Sequence, residues 1–136
     1  MEQKTTRLKR KIDQFLIDWK TRAGHKPLIV KGARQIGKTR SIEWFASQNY
    51  KNVVQINFVE QKKYRDIFND GFEVDVILKN ISLLNPDIEF VSEDTLFFFD
   101  ELQACPNCAT SLKFFKLDGR YDVICSGSLM GINYKE

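Results

Sequence analysis

The apolar positions of this chain change period several times, and each change marks an element. Leu8, Ile12, Phe15, Leu16 and Trp19 recur at three- and four-residue spacings, which predicts an amphipathic helix over residues 7–21. Gly24 and Pro27 punctuate its end. Leu28-Ile29-Val30 is a short apolar run that reads as a buried strand, and a glycine-bearing loop follows from Gly32 to Gly37. The helical period returns from Lys38 to about Gln48, with Ile42, Phe45 and Ala46 on one side. Val53 to Phe58, rich in β-branched residues, predicts a second strand. Residues 61–69 and 73–84 predict helices, the second on the spacing of Val76, Ile77, Ile81 and Leu84. Asn85-Pro86-Asp87 is a turn. Thr95 to Phe99 is continuously apolar, which implies burial on both faces and suits a central parallel strand. Cys108 to Leu117 predicts a helix and Asp118-Gly119 a turn. Tyr121 to Cys125 predicts a fourth strand that ends in Ser126-Gly127-Ser128.

Strands alternating with helices predict an α/β fold, a parallel sheet covered on both faces. Ligands on such sheets bind at the carboxyl ends of the strands. The polar motifs of this chain follow Val30, Phe99 and Cys125, which are such ends.

Composition bounds the picture. The 136 residues are 43% hydrophobic and 29% charged, enough for one core and too few for two. Eleven Phe supply core material and argue against disorder. No apolar run approaches the roughly 18–20 residues of a membrane span. The start, MEQKTTRLKRK, has no apolar signal region, so a cytoplasmic location without membrane association is expected. Three Cys make an odd count, against a disulfide framework. The net charge of +3 is unevenly placed: residues 1–26 carry a net +5 and the remainder −2. The expected organisation is a basic amphipathic helix, residues 1–26, packed on a core of residues 27–136. Such a helix suits either nucleic-acid phosphates or solvent.

Gly32-Ala33-Arg34-Gln35-Ile36-Gly37-Lys38-Thr39 fits G-x-x-x-x-G-K-[ST], the phosphate-binding loop or Walker A motif. Wrapping backbone N–H groups around a polyphosphate needs glycine where the chain approaches closely. The helix beginning near Lys38 aims its N-terminus at the anion. Lys38 reaches the β- and γ-phosphates and the Thr39 hydroxyl ligates Mg²⁺. Arg40 continues the nucleotide-binding run, and the Arg34 side chain either leans on phosphate or faces solvent. Leu96 to Glu101 has the Walker B arrangement, an apolar strand ending in acid. Asp100 is expected to hold Mg²⁺, which keeps several waters and takes few protein carboxylates. Glu101 suits polarisation of the attacking water. Ser126 is expected near the γ-phosphate or that water, as a sensor residue is; Ser128 competes for the role, and a plain Ser-Gly-Ser turn is the alternative. Gln103 contacts water or phosphate, or is a surface amide. Cys105-Pro106-Asn107-Cys108 has the spacing of a redox pair or half a zinc site, but only Cys125 and His25 remain as further ligands. The motif fits a turn and helix start better. His25, the single histidine, has no paired acid or nucleophile in the sequence pattern and is expected to be solvated.

Taken together, these motifs resemble the prokaryotic P-loop ATPase family labelled AAA_14. The matching stretches are Gly32 to Thr39, Ile56-Asn57-Phe58, Thr95 to Gln103 with Cys105-Pro106, Leu112-Lys113 with Phe114-Phe115, and Gly127-Ser128-Leu129. The resemblance implies a three-layer P-loop NTPase sandwich of the AAA-like kind, with the sensor strand inserted between the Walker A and Walker B strands. It implies phosphate binding at Gly37, Lys38 and Thr39, with metal and water roles at Asp100 and Glu101. It implies ATP rather than GTP, and no N-K-x-D motif contradicts this. The family's ATPase usually precedes a C-terminal domain known as DUF4143. Against that pattern the chain ends at Glu136, so a fifth core strand, that C-terminal domain and an arginine finger are expected to be lacking. The first strand is then expected at a sheet edge, an association hazard, and a homo-oligomer is one expected partner.

The function expected is Mg²⁺-dependent ATP hydrolysis by activated water, with Lys38, Glu101 and Ser126 as catalytic residues. The alternatives are a nucleotide-binding fragment with little turnover, a nucleic-acid-binding protein using the basic helix, and the unfolded product of a degraded gene.

Overall fold

The computed structural model describes residues 2–31 and 38–127, with side chains from residue 11 onward. Helix α1 spans Glu2–Thr21, strand β1 Leu28–Lys31, helix α2 Lys38–Asn49 and strand β2 Asn52–Asn57. Helix α3 spans Val74–Leu84, strand β3 Thr95–Asp100, helix α4 Pro106–Asp118 and strand β4 Asp122–Gly127. Residues 61–69, expected to be helical, form a 3₁₀ helix over Lys62–Phe68. Its Tyr64, Ile67 and Phe68 are buried, so packing of one side holds the tighter winding.

The four strands form one parallel sheet in the order β1-β4-β3-β2. The chain travels from β1 across the sheet to β2, then steps back through β3 to β4. Parallel crossovers are right-handed. The outward and returning connections must therefore lie on opposite faces. Two separate cores show this. Phe97, Phe99, Val123 and Cys125 face α3, α4 and the 3₁₀ helix, whereas Leu96, Phe98 and Ile124 face α1 and α2. The period of two along β3 divides TLFFF between both cores, and Leu96, Phe97, Phe98 and Phe99 are all fully buried. Each such phenylalanine contributes about 1.5–3 kcal/mol on burial.

The apolar stripe of α1 is narrower than its spacing suggests. Leu16 and Trp19 enter the second core and Ile12 lies against it, but Phe15 is half exposed. The Trp19 indole N–H donates to the Lys26 carbonyl at 2.7 Å, tying the end of α1 to the approach of β1. Among the described strands, β1 lies at one edge of the sheet and β2 at the other.

His25 departs from expectation. Its Nε2 lies 2.6 Å from Asp122 Oδ1, and its Nδ1 lies 3.1 Å from the Arg22 carbonyl. The other Asp122 oxygen accepts a 2.5 Å hydrogen bond from the Tyr50 hydroxyl. One carboxylate at the start of β4 thus joins the α1–β1 connection to the end of α2. Burial first, then the Asp122 carboxylate, raises the Tyr50 phenol far above its usual range. The folded state therefore holds this proton more tightly than the unfolded chain does. The stability this contributes is present below about pH 10 and declines as pH rises further. Asp122→Ala strands the buried Tyr50 hydroxyl, and a loss of about 1–3 kcal/mol is expected in urea unfolding. Tyr50→Phe is expected to flatten the alkaline decline seen in the same measurement above pH 10.

Candidate functional site

Register decides what meets at the carboxyl ends of the strands. β3 pairs with β4 so that Phe99 lies beside Cys125, and β1 pairs with β4 so that Val30 lies beside Ser126. Ser126, expected just after the last strand, lies within β4 and is 1% exposed. Its Oγ donates to Asp100 Oδ1 at 2.7 Å. The same oxygen accepts the Glu101 backbone N–H at 2.8 Å. Two donors on one oxygen fix the direction of the Asp100 carboxylate.

Immediately after Asp100 the backbone turns sharply. Glu101 has φ 57 and ψ 50, the left-handed region, where a side chain with a Cβ costs about 1–3 kcal/mol. The chain then enters a 3₁₀ turn, Leu102–Ala104, whose Leu102 is buried. The turn is closed by Ala104 N–H to the Glu101 carbonyl and Cys105 N–H to the Leu102 carbonyl, each at 3.0 Å. The Gln103 amide donates to Glu101 Oε2 at 2.5 Å. Gln103 is therefore joined to the carboxylate pair as well as next to it in sequence.

Lys38 opens α2. Burial lowers its ammonium below the usual lysine range, against the opposing attraction of Asp100 and Glu101. The cation is thus partly stripped of water and faces the two acids. Thr39 beside it is half-buried and Arg40 is exposed. The first turn of α2 holds no acidic side chain, so its backbone N–H groups and macrodipole keep their positive character. Gly32, Ala33, Arg34, Gln35, Ile36, Gly37 and Ser128, assigned to the site from sequence, lie outside the described residues.

The donor set suits a magnesium nucleotide. Asp100 and Thr39 offer the hard oxygens that Mg²⁺ takes, and Lys38 with the start of α2 offers positive charge for phosphate. The cysteines are arranged for packing. Cys105, Cys108 and Cys125 are buried and free of disulfides. Burial raises the thiols of Cys105 and Cys108, and the neighbouring Cys125 raises that of Cys108 further. A protonated thiol is a poor nucleophile and metal ligand. Among the described residues no cluster of His, Cys, Asp and Glu is arranged to hold a metal by itself.

Sequence reasoning missed two features. The left-handed turn at Glu101 has no signal in residue type, since glycine is the usual occupant. The Tyr50–Asp122–His25 cluster joins residues far apart in the chain, which no local spacing reveals.

A parallel sheet with this strand order, and acid, lysine and serine gathered at its carboxyl edge, defines a P-loop-type α/β domain of the AAA-like class. The AAA_14 family model, an AAA domain, matches residues 24–136, and the chain belongs to this family. Among solved structures it is similar to the one titled "Structure of C. elegans PCH-2", at 15% sequence identity and a TM-score of 0.55. The match covers 94% of this chain and 39% of that chain, and at this identity it shows a shared fold. No curated protein matches the chain significantly. Among the described residues, no helix is long and apolar enough to cross a membrane.

Proposed function

We propose that this domain binds ATP with Mg²⁺ at the carboxyl ends of β1, β3 and β4 and hydrolyses the γ-phosphate by attack of water. The observation that carries this reading is the convergence of Lys38, Asp100, Glu101 and Ser126 from three separate elements. Phosphoryl transfer asks the protein mainly for positioning and for compensation of charge. Lys38 meets the second demand: an ammonium partly stripped of water favours an incoming phosphate. Thr39 and Asp100 would hold Mg²⁺, which would neutralise charge on the phosphates when bound. Ser126 keeps the Asp100 carboxylate in one orientation. Glu101, aimed by its left-handed backbone, accepts a hydrogen bond from the attacking water and directs it. Arg40 and the loop from Gly32 to Gly37 contribute further phosphate contacts. A homo-oligomer or an additional domain is the proposed source of any arginine supplied in trans.

The test is a calorimetric titration with ATP and MgCl₂ beside a phosphate-release assay, each repeated on Lys38→Ala. Saturable binding and phosphate release are expected from the native chain, and both are expected to be lost in Lys38→Ala. Binding with no release above that of Lys38→Ala would leave a nucleotide-holding module and remove the hydrolase reading.

A further inference from the structure

We infer that Gln103 is a positioning residue for hydrolysis, acting through its hydrogen bond to Glu101. The inference rests on the reading of the site as a hydrolase and assigns a role that the motif residues do not cover. A glutamate has three rotatable side-chain bonds, and water can be directed only while its carboxylate stays in one place. The left-handed backbone of Glu101 sets where the side chain leaves the chain, and the outer torsions are set by what the carboxylate touches. The Gln103 amide makes one such contact, donating to Oε2 at 2.5 Å.

Gln103 is itself held. It lies in the middle of the turn Leu102–Ala104, between buried Leu102 and buried Cys105, and that turn closes on the Glu101 carbonyl. The restraint therefore returns to the residue it orients, forming a short closed loop of covalent and hydrogen bonds. A donor is required there. A side chain of equal length without one loosens the hold on the carboxylate, and a carboxylate in its place repels Glu101.

Phosphate release is measured for the native chain, Gln103→Met and Gln103→Glu, each also in the Glu101→Gln background, with thermal unfolding as a check on folding. In Gln103→Met, kcat is expected to fall ~10- to 100-fold with KM for ATP nearly unchanged. Gln103→Glu keeps the length and polarity of the side chain and is expected to fall at least as far. In the Glu101→Gln background neither change is expected to lower the rate further, because the carboxylate to be positioned is gone. An active native chain whose kcat is unaltered by both substitutions would overturn the role of Gln103 and leave the hydrolase reading standing. Equal losses in both backgrounds, or a rise in KM alone, would overturn it too, since they mark general packing or nucleotide contact. A native chain that binds ATP without releasing phosphate overturns the hydrolase reading and this inference with it.

Discussion

Glu101→Gln is expected to retain binding of ATP with Mg²⁺ while phosphate release falls by roughly 10²–10⁴-fold, the range attributable to a positioned acid–base group. The substitution keeps the shape of the side chain and its place in the left-handed turn. It removes the negative charge and one acceptor site, which are what the attacking water needs. In the proposed site the contacts to nucleotide come from α2 and Asp100, so titration calorimetry should give an affinity close to that of the native chain. Loss of one carboxylate near Lys38 also removes an attraction that supports its charge, and this has little effect at neutral pH. Lys38→Ala is expected to behave differently, losing binding and turnover together, because it deletes the cation itself. The contrast between the two variants separates holding the nucleotide from acting on it. A Glu101→Gln variant releasing phosphate at the native rate would remove Glu101 from the chemistry.

Phe97→Ala is expected to destabilise the fold by about 3–5 kcal/mol, the cost of replacing a buried phenylalanine by alanine. Phe97 is fully buried at the middle of β3. Its ring lies 5.8 Å from Phe90 and Phe99, 5.4 Å from Phe115 and 5.5 Å from Tyr121. These partners come from the loop before β3, from β3 itself, from α4 and from the residue before β4, so they cannot all close over the void. A loss of this size is a large fraction of the roughly 5–15 kcal/mol by which domains are stable. Equilibrium urea unfolding monitored by far-UV circular dichroism reads it directly. Leu117→Ala, on the exposed side of α4, is the matched control and should shift the midpoint little, since Leu117 is 82% exposed.

Much of the architecture was legible because it is written in short periods. TLFFF could only be a strand buried on both faces, and β3 is that strand. The helices from Lys38 and from Val74 follow their apolar spacing to within a residue or two. The α4 helix begins at Pro106, two residues before its expected start, because proline is suited to the first helical position. The Lys62–Phe68 segment was harder. Its apolar spacing fits either winding, and packing against the first core selects the tighter one. Phe15 follows the stripe of α1 yet stays half exposed, because periodicity places residues on a face without stating how much of that face is covered.

The sequence by itself determined the α/β class, the approximate strands and helices, and the residue types available at the carboxyl ends of the strands. These are local properties, set by side-chain alternation, helical spacing and motif chemistry within a few residues. The resemblance to a known family already implied that β4 inserts between β1 and β3, and only the tertiary structure decided that Ser126 there reaches Asp100. It also decided that Glu101 takes a left-handed turn toward the Gln103 amide, and that Asp122 gathers Tyr50 and His25. Those contacts arise when distant segments are brought into register by burial of two cores, one on each face of the sheet. Their geometry depends on the whole packing arrangement, and no short stretch of chain encodes it.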